Sequence, residues 1–436
     1  MFTLLKENPM KRRLIIASFL LFLFLSCGKK SDVVEIHDWN FGGRPNLIEF
    51  LRQRVYGFEK THPGIKVIQS DKSWNMIREI LYADFSAGAG PDVMNTHSNF
   101  AAEFGRAGFY YPVNKFPDFE EVRKWYVPHL LESTRYKENY YGLPSSAIAF
   151  VLTCNKELFD KEGIAPPKTW SQFRDAARRL TKDTNGDGVV DQYGLVLMGG
   201  DKGGFAYRMI PFFLKAGVNV MSDDLTKIEF NSPRGVAALK LIADMYQVDH
   251  SITPGFLAYT HSEINDLFCS NKAAMSIEGP WFRGMVGDKS PGKDMYVVAV
   301  PVPDDMIAQY ETAPTLQDMV MYSINAHSKH LSEAWELLKH LRNEEADMFW
   351  ITQDLGATPT TKHALNSPEA QSVKDIQLYI NELNHARPWP PHPSMIAIAS
   401  NVFTPYCQKS IVGELSPKAA LDQAAKEAQD IIDAKK

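Results

Sequence analysis

The 436-residue sequence predicts an α/β protein built as two lobes, and three observations carry that expectation. Once an N-terminal leader is set aside, about 400 residues remain, more than one hydrophobic core ordinarily organises and suited to two domains. Short β-rich runs alternate with segments whose apolar residues recur at spacings of three and four, the pattern of strands and helices around a mainly parallel sheet. No internal repeat or low-complexity segment interrupts that alternation.

The leader comes first. Lys11, Arg12 and Arg13 precede an apolar run from Leu14 to Leu25. A basic start and a run too short to span a bilayer comfortably read as a secretory signal. Met10 begins a stretch that is a complete signal by itself. Cys27 follows Ser26 and precedes Gly28-Lys29-Lys30, which resembles a bacterial lipobox, with Phe24 where Leu is usual. Residues 1–26 are expected to be a lipoprotein signal peptide and Cys27 the lipidated first residue of the mature, extracytoplasmic protein. An ordinary cleaved signal is the alternative.

Charge and cysteine usage narrow the class. The net charge of -5 shows no basic excess and argues against nucleic acid as a partner. Cys154, Cys269 and Cys407 are widely spaced, with no CxxC or Cys/His pattern for zinc or redox chemistry. They read as small buried apolar residues, with one disulfide among them left open.

Taken in order, Val33 to Trp39 is a strand leading to Asn40-Phe41-Gly42-Gly43. A helix follows with Ile48, Leu51, Val55 and Phe58 on one face, and His62-Pro63-Gly64 stops it before the strand at Ile65 to Ile68. A second helix, Met76 to Phe85, ends in Ser86-Ala87-Gly88-Ala89-Gly90, and Pro91-Asp92-Val93-Met94 is the next strand. Those glycines end a helix and no GK[ST] follows, so this is not a phosphate loop. Tyr140-Tyr141-Gly142-Leu143-Pro144 precedes an apolar run to Thr153. Thr169 is a candidate N-cap for the helix through Leu180, with Trp170 as a structural wedge at its start. Met198-Gly199-Gly200 to Phe205 reads as a Gly-rich, cleft-facing loop. Ser232 and Pro233 open a helix with Val236, Leu239, Ile242 and Met245 buried, and Ser416-Pro417 open the last one.

Asp183, Asn185, Asp187 and Asp191, with the Val189 carbonyl and Gly188 at the sixth position, match the first half of an EF-hand loop. The twelfth position is Gly194 and not the usual bidentate Glu. A structural calcium site and a plain Asp/Asn/Gly turn are both open. No other cofactor is expected.

The stretch from Phe268 to Trp281, FCSNKAAMSIEGPW, ties these pieces together. A short apolar strand, Ala273 to Ile277, is stopped by Glu278-Gly279-Pro280, which delivers the ring of Trp281 at a strand end. Strand ends facing a cleft are where α/β proteins place ligand contacts. With the helix-turn-strand passage FEKTHPGIKV, the AGAGPDV stretch, Tyr141-Gly142-Leu143-Pro144 and GIAPPKTW, this stretch resembles the extracellular solute-binding proteins that feed sugars to ABC importers, the family containing maltose-binding protein. The resemblance covers nearly the whole mature chain and implies a two-lobed periplasmic-binding-protein fold with a hinge. Residues 27–146 plus 301–350 are expected in lobe 1, and 147–300 plus 351–436 in lobe 2.

By that resemblance Trp281 stacks on a sugar ring, and Trp389, presented by Pro388 and Pro390-Pro391, is a second stacking candidate. Trp39, Asn40, Trp74, Thr96, His97, Asn99, Ser145 and Asp318 complete the expected ligand contacts, with Ser146 beside them. Gln317-Asp318 stands where the family usually has Gly-Gly, placing polar groups where relatives have bare backbone. The implied function is capture of a carbohydrate, an oligosaccharide, and its delivery to the importer's permease subunits, by a monomer held to the membrane through Cys27. The alternative is a lipid-anchored sensor, or a binding protein for a non-sugar solute such as a glycerophosphodiester, for which Arg44, Lys72 or Arg387 would be needed. The competing class is a lipid-anchored glycosidase with Glu278 and Asp318 as its acid/base pair. By the resemblance, however, Glu278 sits inside a signature that carries no catalysis, there is no nucleophile elbow or HExxH, and no enzyme is expected.

Overall fold

The computed structural model describes residues 33–43, 45–74, 77–352 and 357–434. The expected signal peptide, Cys27, Arg44, Met76 and Gly356 lie outside the described residues.

In lobe 1, β1 (Val34–Phe41) pairs in parallel with β2 (Ile65–Lys72) along its whole length and with β3 (Val93–His97) at Asp38 and Trp39. The connecting helices are α1 (Pro45–Thr61) and α2 (Ile77–Ser86), and α3 (Phe100–Arg106) follows β3. Leu51, Val55 and Phe58 of α1 are buried as their spacing predicts, with Ile36 of β1 and Trp335 in the same cluster. Phe41, Leu81, Phe85 and Phe104 form the core of a second cluster. β4 (Leu143–Ala149) then runs to the lobe boundary.

Phe150 carries the chain across, directly into β5 (Val151–Asn155) of lobe 2. There α4 (Trp170–Arg179), β6 (Tyr193–Leu195), α5 (Lys202–Lys215), α6 (Pro233–Gln247), α7 (His261–Cys269), β7 (Ala273–Glu278), α8 (Trp281–Lys289) and β8 (Met295–Val298) follow in order. Thr169 caps α4 in a reciprocal box with Gln172, and the Trp170 indole donates to the Pro301 carbonyl at 3.1 Å, so the wedge fastens the start of α4 to the segment after β8 within lobe 2. β9 (Leu316–Ile324) re-enters lobe 1, followed by α9 (Leu331–Leu341), and β10 (Arg387–Pro388) lies beside the start of β9. Beyond Trp389 the chain packs into the large lobe 2 core around Phe205, Phe212, Phe213 and Phe403. The crossings are tied together: Phe150 N–H donates to Leu316, Thr315 Oγ1 to Phe150, and Arg387 N–H to Thr315.

The sheets are less parallel than the alternating pattern predicts. β9 runs antiparallel to both β3 and β4, and in lobe 2 only β6 and β7 are parallel, β5 being antiparallel to β7 and to β8. The reason is where the strands begin. β5 and β9 start at the lobe boundary and run away from it, whereas β3 and β7 run toward it.

All three described cysteines are free thiols. Cys154 and Cys407 are buried, and burial pushes both thiols far above their ordinary range. Cys269 departs from the buried expectation: it is half-buried, with its thiol toward Asn265 Oδ1.

Candidate functional site

A cavity of about 760 Å³ lies between the lobes. Lobe 1 meets it mainly with strand ends. His97 is the last residue of β3 and Asn99 follows it, Ser145 comes from β4 and Asp318 from β9. Trp74, just past β2, lies over Gly42, whose φ is +67° and where a Cβ would come within 1.8 Å of the indole nitrogen. The glycine is what lets the ring lie there, 4.6 Å from the His97 imidazole.

Lobe 2 meets the cavity with a helix and two turns. Asp201 caps α5 by accepting from Gly204 N–H at 3.0 Å, and Gly203, Gly204, Tyr207 and Arg208 fall on one face of the helix. Trp281 opens α8, its ring against Gly279, where a Cβ would lie 2.0 Å from the indole. Phe150, at the first crossing, stacks on Tyr207 with centroids 5.4 Å apart and meets the edge of Trp281 at 5.7 Å. Trp389 stands perpendicular to Tyr207 at 5.0 Å. A π-helical turn, Ala399–Phe403, brings Ala399, Ser400 and Asn401 to the wall, and such turns recur at functional sites.

The polar groups divide into engaged and unengaged. Arg208 is held by both oxygens of the buried Glu278 at 3.1 and 2.5 Å and donates to the Gly204 carbonyl. Ser276 donates to Glu278 as well. His97 Nδ1 and Asp318 Oδ2 are 2.5 Å apart. Asn99 Nδ2 donates to the Tyr207 hydroxyl at 2.8 Å, joining lobe 1 to lobe 2. Burial, and after it the nearby Asp318 carboxylate, push the Tyr207 phenol far above its usual range, so it stays a donor. Burial pushes His261 down to about 3, aided by the Arg208 and His97 charges, so its imidazole is neutral.

Among the described residues, five buried polar atoms of the wall have no partner: Asn99 Oδ1, Asp318 Oδ1 and the indole nitrogens of Trp281, Trp350 and Trp389. Buried polar atoms are almost always hydrogen-bonded. Five orphans around one cavity mark a place where a bound molecule completes the set.

Of the ten expected contact residues, Trp74, His97, Asn99, Ser145, Trp281, Asp318 and Trp389 line this cavity, and Ser146 lines it with them. Trp39, Asn40 and Thr96 do not, which corrects the expectation. Trp39 packs against Phe41 beneath the Lys72 ammonium. Asn40 is buried between Asp38, to which it donates, and the Tyr322 hydroxyl, from which it accepts. Thr96 is fully buried and accepts from Tyr110. Asn40 alternates with the wall residue Phe41, and Thr96 with Asn95 and His97, so each faces the other side of its strand, while Trp39 shares the face of Phe41 but lies further back along the strand. Neither Lys72 nor Arg387 reaches the wall, and Glu278 lies behind it, so no Glu278–Asp318 pair faces the cavity.

Phe150, Tyr207, Arg208 and His261 are wall residues that sequence reasoning missed. The Gly203-Gly204 pair reads as a loop because glycine disfavours helices. The spacing 203, 204, 207, 208 after a capping Asp201 was the available signal.

The acidic loop folds on itself. Asp183 accepts from Gly186 and Gly188, both at 2.7 Å, Asn185 from Asp187, Asp187 from Val189, and Asp191 from Thr184. Those backbone donors hold the Asp183 and Asp191 carboxyls below their ordinary range. Among the described residues no group of three His, Cys, Asp or Glu converges as a metal site. The twelfth position of the loop, Gly194, supplies no side-chain oxygen to close an EF-hand cage.

Comparison with known proteins agrees with this architecture. Residues 44–348 match the family model described as bacterial extracellular solute-binding protein. The galactooligosaccharide-binding protein of Bacillus subtilis is 26% identical over 88% of this chain and 87% of its own length. The maltotriose-binding protein of Pyrococcus abyssi is 22% identical over 82% of this chain and 74% of its own. A solved ABC transporter solute-binding protein from Thermotoga lettingae, bound with α-D-tagatose, superposes with a TM-score of 0.81 at 25% identity, covering 92% of this chain and 100% of that one.

Proposed function

The chain belongs to the bacterial extracellular solute-binding proteins, and from that premise we propose that it is the extracytoplasmic binding component of an ABC importer, capturing a carbohydrate, an oligosaccharide, between its lobes and delivering it to membrane permease subunits by hinge closure. The observation that carries the reading is the coexistence of aromatic faces with unpartnered donors and acceptors around one cavity. Sugars present apolar C–H faces and polar rims, so flat rings cover the first while indole N–H, amide and carboxylate groups meet the second. The names of the Bacillus and Pyrococcus relatives support the same class of ligand. Two cores joined at tied crossings support closure about a hinge.

Binding without hydrolysis is part of the proposal: Glu278 is engaged by Arg208 and lies behind the wall, so it cannot pair with Asp318 across a glycosidic bond in the cavity. So is attachment through a lipidated Cys27, which rests on the leader and the lipobox-like Ser26-Cys27-Gly28. Among the described residues no helix is long and apolar enough to cross a membrane. Cys27→Ser is expected to release the protein from the membrane fraction.

The decisive experiment is a thermal-shift screen of the domain from Ser31 against mono- and oligosaccharides. A ligand that binds only the folded state raises the melting temperature by mass action. A rise with one saccharide series supports the reading, and silence across all series sinks it.

A further inference from the structure

The charges around the cavity are not equally available. Arg78, Lys202 and Arg208 reach its wall, as do Glu79, Asp201 and Asp318, so the formal charges balance. The two guanidinium groups, however, already carry carboxylate partners. Arg208 is gripped by both oxygens of Glu278, and Arg78 by both oxygens of Glu103. Lys202 is exposed at the start of α5, where water screens it. Asp318 is the opposite case. Its side chain is 1% exposed, one oxygen meets His97, and among the described residues no donor reaches Oδ1 in hydrogen-bonding geometry, although the Tyr207 hydroxyl lies near the carboxylate. Beside it Asn99 Oδ1 is a second unpartnered acceptor.

The unmet hydrogen-bonding capacity on this side of the cavity is therefore that of acceptors, one of them a buried carboxylate. A group that donates, such as a hydroxyl, completes it. A group that only accepts and carries negative charge leaves two buried acceptors facing each other, an arrangement that is strongly unfavourable away from water. Elsewhere on the wall the unpartnered atoms are the indole N–H groups of Trp281, Trp350 and Trp389, which can bond a neutral hydroxyl oxygen without any charge being needed.

Resting on the saccharide reading above, we infer that Asp318 sets the charge of the acceptable ligand: the cavity takes an uncharged saccharide, one of whose hydroxyls donates to Asp318 Oδ1, and rejects the same saccharide bearing a carboxylate or phosphate. Gln317-Asp318 occupies the position at which the resemblance predicted bare backbone; of the two, Asp318 lines the cavity, while Gln317 turns away and donates to Ser133. His97 acts as a positioning residue, holding Oδ2 so that Oδ1 faces the cavity.

The test is calorimetric titration of the lipid-free full-length mature protein with neutral malto- and galacto-oligosaccharides and with their C6-oxidised, uronate counterparts. The wild type is expected to bind a neutral series at least about 100-fold more tightly than its uronate form. Asp318→Asn, nearly isosteric, is expected to weaken the neutral sugar by about 10-fold and to bring the two forms within about threefold of each other. His97→Asn removes the group that holds Oδ2 and serves as a second variant should Asp318→Asn fold poorly; it is expected to narrow the preference for the neutral form, and an undiminished preference removes His97 as the positioning residue. Equal binding of neutral and uronate forms by the wild type overturns the charge rule and leaves the saccharide reading intact. Undiminished rejection of the uronate by Asp318→Asn removes Asp318 as its source. Failure of every saccharide, neutral or acidic, removes the saccharide reading itself and this inference with it.

Discussion

The two walls of the cavity are built on different plans, and the buried charge behind each repeats the difference. Lobe 1 contributes strand-end side chains that accept or share protons, while lobe 2 contributes rings carried by a helix and by turns. Behind the lobe 2 wall lies a closed pair, Arg208 and Glu278, with both carboxylate oxygens bonded. Behind the lobe 1 wall lies an open network. Arg342 donates to Ser145 at 2.6 Å and sits over the Tyr322 ring, yet among the described residues its Nε and Nη2 have no partner, nor does Asp38 Oδ1. A closed pair fixes geometry and resists change. An open one leaves groups free to respond to protons and ligands.

The largest effect should come from opening the closed pair. Removing one member of a buried ion pair leaves its partner charged and unsolvated, at a cost of about 3–5 kcal/mol. Arg208→Met is therefore expected to lower stability by roughly that amount in urea unfolding followed by circular dichroism. The double variant Arg208→Met, Glu278→Met should recover most of the loss. If the single variant matched the wild type, the lobe 2 wall would not depend on the pair and the contrast would fail.

Next comes the aromatic wall. Trp281→Ala should weaken saccharide binding by about 2 kcal/mol, roughly 30-fold in Kd, with the fold retained. Trp74→Ala should cost less, because Trp74 shares its face with His97 and Gly42. Equal losses would show that stacking is divided between the lobes and not concentrated in lobe 2.

How much of this was legible in the sequence follows the same line. Lobe 1 contacts after β3 were readable, because Pro91-Asp92-Val93 announces a strand and the residues beyond its end face the cleft. Trp281 was readable because Gly279-Pro280 stops β7 abruptly. Trp39, Asn40 and Thr96 were misplaced because they lie inside strands, where alternation and neighbouring side chains decide which way each faces. Tyr207 was invisible for another reason. Its role depends on α5 lying across the cavity opposite Asn99, a tertiary fact that no local pattern carries. The antiparallel strands β5 and β9 were hidden likewise, since direction in a sheet depends on where a crossing enters it.

The open network behind lobe 1 should respond to pH. Burial pushes the Asp38 and Asp347 carboxyls up from the ordinary 3.8 to about 6. A carboxyl whose pKa is raised by folding binds its proton more tightly in the native state. Its contribution to stability is present below pH 4 and is lost as pH rises through about 6. Asp38→Asn removes that titration. The melting temperature of the variant relative to the wild type should climb by a few degrees between pH 4 and 7 and then level off. A difference independent of pH would show that Asp38 is ionised throughout and that the network is closed by bound water.

The smallest effect concerns the acidic loop of lobe 2, which joins neither wall. Asp183, Asn185 and Asp187 each accept backbone N–H groups of the loop itself, and Gly186 and Gly188 take the positive φ angles that make this possible. Calcium would have to replace those bonds without the bidentate carboxylate that normally closes the loop. Millimolar calcium is therefore expected to move the melting temperature of the ligand-free protein by less than about 1 °C, since stabilisation by a ligand requires occupancy at the concentration used. A rise of several degrees, abolished by Asp187→Ala, would show that the oxygens turn outward to take the ion. It would also make the loop, like the lobe 1 network and unlike the Arg208–Glu278 pair, a place where hydrogen bonds already made can be exchanged for better ones.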